Sequence, residues 1–438
     1  MKRNKQNIIL IVLLAVFCLC ILAACGIGEV DYFTYSEDDL GVVGKLVRVM
    51  HGWVGNYGWT VVVFTVFLKI LMSPLDIWQR VSSRKSTLRM QRMQPLIAEI
   101  DKRYASNPQR ANEEKQKLYK KQGFSAFSMC LPMIISMVIF LVMFTGLQEY
   151  SAYSSVKNFQ NLSGTYYDEY YNLVVHDTQL DSAIVADYQS KIAELADESE
   201  GFGENPNFLH DNYTEQNIRA YRAGESYLMT TLGVDGCDKY QQGALEAVSE
   251  YYVEHHESWL WMYNVWQPDT WVTIMPKYSD SVNGFEGTVN MDNFSEDKGR
   301  THYDAIWNAV VKTGGYGSEG KWNGLMLLPF LSIALSFLSI FISQRLDKRM
   351  RKDEQQQAAA QQNPQQAISN KLMMFLMPLM MAFFGFRYTG AFAIYMVCNY
   401  LLSLTSTLAL ARPVEKIVQR SLAKKEMQEK SNKASYMR

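Results

Sequence analysis

The chain has 438 residues, with 43 Lys+Arg against 44 Asp+Glu, and 48% of its residues are hydrophobic. The near-balance of charge excludes a nucleic-acid binder that works through bulk positive charge. Several apolar runs are long enough, or nearly so, to cross the ~30 Å bilayer core. Those runs exclude a purely soluble protein, and the long polar stretches between them exclude a chain that is transmembrane throughout.

The N-terminus reads as an address. Lys2, Arg3 and Lys5 precede the apolar run Ile8 to Ile21, and Leu22-Ala23-Ala24 supplies small residues before Cys25. This order predicts a signal peptide over 1–24. Leu-Ala-Ala-Cys resembles a bacterial lipobox, in which the cysteine takes diacylglycerol. Cys25 is therefore the expected lipidation site, on the outer face of the cell membrane, with 25–57 extracytoplasmic. Cys18, Cys20, Cys130 and Cys398 lie in apolar runs, so Cys237 has no polar-region partner for a disulfide framework.

Spans are expected at 58–77, 127–147, 325–343, 372–386 and 390–411. Residues 78–122, the bulk of a cytoplasmic segment 78–126, carry twelve basic against four acidic residues. Segment 344–371 has six against three, and the tail 412–438 has eight against three. The 148–323 stretch has ten basic and 28 acidic residues. Basic loops stay cytoplasmic, which places the C-terminus inside and 148–324 outside.

The first span contains Lys69, eleven residues beyond Gly58 and so about 16 Å deep at ~1.5 Å per residue. A lysine at mid-membrane costs at least ~2.5–3.5 kcal/mol. It either snorkels past Ser73 and Asp76 or faces a water-filled cavity; the cavity is favoured, and direct pairing with Asp76, two turns away, is expected to be stretched. The 78–126 segment then reads as a helical hairpin. Met93, Leu96, Ile97, Ile100 and Tyr104 recur at helical spacing, and Ser106-Asn107-Pro108 breaks it. Its basic face suits either lipid headgroups or a docking surface for ribosome, nascent chain or targeting factor. Arg84, Arg89, Arg92, Lys102 and Arg103 are the candidate docking residues.

The 148–324 stretch is too long for a plain loop and too rich in Tyr and Trp for a disordered acidic segment. A folded, mainly helical unit is expected, with helices at 183–196, 215–231 and 241–255. His255-His256-Glu257 lacks metal-site spacing and reads as a helix end. The fourth span has only fifteen residues, about 22 Å as helix, short of the bilayer core and suited to local thinning.

Several stretches, in order, resemble the YidC/Oxa/Alb family of membrane protein insertases. Leu68-Lys69 to Pro74-Leu75 is similar to the family's first-span end. Met93-Gln94-Pro95-Leu96 through Tyr104 resembles its hairpin, and Gly123-Phe124-Ser125 to Cys130-Leu131-Pro132 its entry into the second span. Trp259-Leu260-Trp261 with Gln267-Pro268-Asp269 resembles the element before the third span. Met377-Pro378-Leu379-Met380-Met381 and Ala391 to Tyr395 resemble the last two spans. The matches cover most of 55–147 and 325–411. The resemblance implies an all-α polytopic membrane protein, five transmembrane helices around a hydrophilic groove, with a cytoplasmic helical hairpin and a large, mainly helical extracytoplasmic insertion.

The resemblance places Lys69 where the family usually has a groove arginine, and Gln344 where it often has a glutamine. Tyr395 and Met396 complete the expected groove set, Met396 standing where the family often has Trp. Lysine keeps the charge of arginine but loses its bidentate geometry. The implied function is insertion: nascent apolar segments enter the groove, short polar tails cross, and helices leave laterally into lipid. Expected partners are nascent membrane proteins, the bilayer, the ribosome and the Sec translocon. No enzymatic activity, metal or cofactor is expected, since the chain has no P-loop, triad or metal-ligand pattern. The alternatives are a small-solute channel or transporter, which would need paired broken helices, and a lipid-anchored receptor, which would leave the basic inner segments unexplained.

Overall fold

The computed structural model describes residues 36–121, 126–196, 205–271, 273–275, 296–313, 323–350, 385–386 and 388–436. These residues form helices and no strand. The longer helices are α1 (Val42–Val54), α2 (Tyr57–Arg103), α3 (Pro108–Lys121), α4 (Ala126–Val175), α5 (Ser182–Leu195), α6 (Glu215–Leu232), α7 (Val234–His255), α8 (Glu296–Thr313), α9 (Leu327–Met350) and α10 (Gly390–Tyr436).

Three stretches among the described residues are long and apolar enough to cross a membrane: Tyr57–Ser86, Leu327–Leu346 and Gly390–Ser421. They coincide with the first, third and fifth expected spans. The second, 127–147, lies in α4, where the side chains of 126–138 fall outside the description. The fourth, 372–386, lies almost wholly outside the described residues, as do 1–24 and Cys25.

Two helices run on beyond the expected spans. α2 is unbroken for 47 residues, past residue 77, with Pro74 and Pro95 inside it, about 70 Å at ~1.5 Å per residue. A proline removes one backbone donor and crowds the preceding turn, but an apolar face that continues into a basic helix gives the chain no reason to turn. Likewise α10 continues beyond residue 411, through Tyr436 and past Pro413. Val414 and Val418 are buried with Leu88 of α2, flanked by Val81 and Leu410. The breaker at Ser106-Asn107-Pro108 falls between α2 and α3 as expected, and Lys115 of α3 pairs with Asp101 of α2.

The chain divides into two compact units. The first comprises 1–60, 143–327 and 386–392, and the second 61–142, 328–385 and 393–438. In the first unit, α4 presents Val156, Phe159, Leu162, Tyr166, Tyr170 and Val174 to one core. Their spacing of three or four residues is a single helical stripe. Tyr188 and Ile192 of α5 and Ile218, Tyr221 and Leu228 of α6 meet it. Gly224 lets α6 approach α5 closely, because a Cβ there would lie 2.7 Å from Ile192. The tyrosine- and tryptophan-rich stretch is thus a packed helical unit. The helices Ser182–Leu195, Glu215–Leu232 and Val234–His255 lie where the periodicity places them, the last beginning seven residues early.

Asp168 of α4 is buried, and its carboxylate accepts the backbone N–H groups of Leu209 and His210, each at 2.8 Å. Burial pushes its carboxyl up to about 7, against those two donors, and Asp211 adds to the rise. The folded chain therefore holds this proton more tightly than the unfolded one. The stability this group contributes is complete below its ordinary value of 3.8 and is lost as pH rises through about 7. Thermal unfolding should give a higher Tm at pH about 5 than at pH about 8, and Asp168→Asn should shrink that difference. An undiminished difference in the variant would assign the pH dependence elsewhere.

A second feature of the first unit ties together the starts of long helices. Asn323 is 1% exposed. Its Nδ2 donates to the carbonyls of Asn264, Gln267 and Pro268 at 2.8, 3.2 and 2.9 Å, and its Oδ1 accepts the Asn264 N–H at 2.7 Å. Asp269, fully buried, accepts from the Leu325 N–H at 2.9 Å and the Trp261 indole at 3.1 Å. The Gly390 N–H donates to the Gln267 carbonyl at 3.0 Å. Tyr57 stacks on Trp266 with ring centroids 4.0 Å apart, and its N–H donates to Glu257 at 2.6 Å. The Gln267-Pro268-Asp269 turn thus anchors the leads into α9 and α10, while Trp266 and Glu257 hold the start of α2.

Candidate functional site: a polar cavity in the second unit

On α2, Lys69, Asp76, Arg80 and Ser83 follow one another at intervals of seven, four and three residues. That spacing keeps them on one helical face. In the second unit this face, with Ser343 and Leu346 of α9 and Ser403, Thr407, Ala411 and Glu415 of α10, lines a cavity of about 430 Å³. These α10 residues repeat at four-residue steps. The wall therefore arises from two polar stripes on helices that are otherwise apolar.

Lys69 faces this cavity and is ion-paired. Its Nζ lies 2.7 Å from Asp76 Oδ2, and both side chains are 22% exposed. The pairing expected to be stretched is made. Seven residues bring the two side chains to the same face, and the lysine stem is long enough to span two turns. A charge that would be costly alone in a membrane helix is offset by an opposite one.

Arg80 donates to Thr407 Oγ1 at 2.9 Å and to Ser406 Oγ at 3.0 Å. Both hydroxyls donate in turn to the Ser403 carbonyl. This use of the backbone leaves their oxygens free to accept. Arg84 Nε donates to Glu415 Oε2 at 2.8 Å, with side chains 8% and 15% exposed. Pairs separated by more than 300 residues in sequence therefore hold α2 and α10 together along the cavity.

The expected site residues separate in the structure. Lys69 lines the cavity. Gln344 does not: it is exposed, while its neighbours Ser343 and Leu346 face the cavity. Met396 is buried, seven residues before Ser403 and so about two turns along α10 from the lining residues. Tyr395 packs near Phe140, with ring centroids 6.3 Å apart. Arg84, expected on a docking surface, is instead buried against Glu415, because α10 continues past the apolar run and covers it. Arg89 and Arg92 lie on α2 with side chains outside the description. Lys102 and Arg103 are exposed at the end of α2, Arg103 paired with Glu99 at 2.8 Å.

Asp76, Arg80 and Glu415 were missed as cavity residues. The stripe through 69, 76, 80 and 83 was legible at helical spacing, whereas the α10 partners were not. His255 and His256 turn their Nδ1 atoms toward backbone carbonyls at the end of α7. No cluster of three metal-ligating side chains occurs among the described residues.

A family model described as the 60Kd inner membrane protein matches residues 49–189. A membrane protein insertase YidC of Caldanaerobacter subterraneus subsp. tengcongensis is 37% identical over 152 residues, which is 34% of this chain and 72% of that protein. The YidC of Cupriavidus necator is 33% identical over 99 residues, covering 23% of this chain and 17% of that protein. That of Stenotrophomonas maltophilia is 35% identical over 124 residues, covering 27% and 21%. The chain thus matches most of the first relative and about a fifth of the other two. No solved structure matches the chain.

Proposed function

Because the chain belongs to the YidC/Oxa/Alb family of membrane protein insertases, we propose that it inserts nascent membrane proteins, with the Lys69 cavity as the groove that receives them. The observation that carries this reading is a charged and hydroxyl-lined cavity walled by three helices, each with a stretch long and apolar enough to cross a membrane. Such a wall offers polar side chains to a hydrophilic tail at a depth where lipid offers none. Apolar faces beside it, such as Ile70 and Leu71 at 69% and 57% exposure, offer a translocating helix an apolar path. Insertion of this kind needs positioning and solvation, with no covalent step.

In this reading five spans cross a bacterial cell membrane, Cys25 bears the lipid on the outer face, and the basic segments lie in the cytoplasm. The exposed Lys102 and Arg103 are then available to ribosome or headgroups. The Sec translocon is a further partner.

Purified protein in liposomes, given a single-span substrate with a short polar tail, should yield substrate that resists alkaline extraction and has a protease-protected tail. Empty liposomes should not. Extractable, unprotected substrate in both would overturn the proposal. Passage of small solutes at the same protein density would point to a channel instead.

A further inference from the structure

Arg84 is satisfied on one side only. Its Nε holds Glu415, but Nη1 is closed off from solvent and makes no hydrogen bond. A buried cationic donor left without an acceptor is poised to take a better one. One turn earlier, Arg80 donates to the neutral hydroxyls of Ser406 and Thr407, and Asp76, whose charge also acts on it, is already paired with Lys69. Lys69 is matched by Asp76 and Arg84 by Glu415, so the described residues lining the cavity carry one positive charge in excess. Ser343 and Ser403 add hydroxyls to the same wall.

Two guanidiniums one turn apart suit an oxyanion with several oxygens, above all a phosphate, whose geometry the planar fork matches. The source of that phosphate is indicated by the outer face of the same helix. Ile70, Leu71 and Trp78 are 69%, 57% and 45% exposed. An apolar run ending in a half-exposed tryptophan and two arginines is the sequence of surfaces met from acyl chain to headgroup. We propose that Arg80 and Arg84 form a phosphate subsite that takes the headgroup of an anionic glycerophospholipid, its acyl chains remaining along the Ile70–Leu71 face. The subsite rests on the cavity being open to the bilayer, as the insertase reading has it, and not on insertion itself.

The test is a titration of the purified full chain, delipidated in neutral detergent, with short-chain phosphatidylglycerol. Parallel arms use inorganic phosphate and a short-chain glycolipid without phosphate. Saturable binding of the phosphatidylglycerol is expected, with neither control binding in the same range. Arg80→Gln and Arg84→Gln should each weaken it at least tenfold, and Arg84→Lys should fall between. Glu415→Gln should tighten it severalfold, because it removes the carboxylate that competes for Arg84. A merely structural Arg84–Glu415 pair would instead move Arg84→Gln and Glu415→Gln the same way. Unchanged binding in both arginine variants overturns the subsite, as does weakening by Glu415→Gln equal to that by Arg84→Gln. Equal affinity for inorganic phosphate overturns the lipid source, and equal affinity for the glycolipid overturns phosphate recognition. A protein that inserts substrate normally yet fails the titration loses the subsite and keeps the insertase reading. One that binds phosphatidylglycerol as expected but inserts nothing does the reverse.

Discussion

Lys69→Glu should reduce insertion of substrates with acidic tails by at least tenfold in the liposome assay. The substitution places a second carboxylate beside Asp76, which Lys69 holds at 2.7 Å. Two like charges at ~4 Å repel by about 4 kcal/mol at an effective dielectric near 20. The same change turns the cavity wall from attracting a tail carboxylate to repelling it. Lys69→Arg should retain insertion, since charge and reach are kept, although the fork geometry differs. Lys69→Ala should impair acidic-tailed substrates more than neutral ones, because it leaves Asp76 unmatched in a partly buried site. The double variant Lys69→Ala with Asp76→Ala separates the two contributions. If it recovers insertion of acidic tails, the damage in Lys69→Ala comes from the orphaned Asp76. If it does not, the lysine charge itself is required. Equal membrane levels of all variants are the condition for comparison. Wild-type insertion of acidic tails by Lys69→Ala would show the charge to be dispensable and leave the groove to shape and polarity.

Asn323→Ala should be among the most destabilising substitutions in the first unit. It removes an amide whose two Nδ2 hydrogens are shared among three carbonyls and whose Oδ1 accepts one N–H, in a site that water does not reach. Each buried backbone group left without a partner costs roughly 1–3 kcal/mol, and at ~2–4 °C per kcal/mol for a unit of this size the Tm should fall on the order of 5–10 °C. Asn323→Asp should be worse, because a buried carboxylate would face three carbonyl oxygens. Asn323→Ser, with one donor and two lone pairs, should lose less than either. Thermal unfolding of the purified chain reads all three. Tm values within a degree or so of wild type for the alanine variant would mean that the Gln267-Pro268-Asp269 turn holds without its asparagine. Asp269→Ala should act in the same direction, since it frees the Leu325 N–H and the Trp261 indole.

The course of the chain is largely local chemistry, and much of it was legible. Apolar runs place the three stretches long and apolar enough to cross a membrane, because membrane-length hydrophobicity needs no distant partner. The Ser106-Asn107-Pro108 break and the aromatic helices of 182–255 follow from turn chemistry and periodicity in the same way. The candidate site divides along this line. The position of Lys69 in mid-span, and the stripe it shares with Asp76, Arg80 and Ser83, are properties of one helix.

What only the tertiary structure decided is which residues oppose that stripe. Arg80 meets Thr407 across 327 positions and Arg84 meets Glu415 across 331. No local pattern encodes such separations, since they depend on how α10 packs along α2. The same packing carries α10 past residue 411, buries Val414 and Val418 against Leu88, and moves Arg84 from the docking surface its charge suggested into the cavity wall. It also sets Gln344 apart from the cavity. Gln344 stands about 100° around α9 from Ser343, and there that turn carries it to the exposed side while Ser343 lines the wall. The reach of Lys69 to Asp76 belongs to the tertiary level too, for a flexible stem commits to one rotamer only when the surrounding cavity leaves the opposite charge as its best partner.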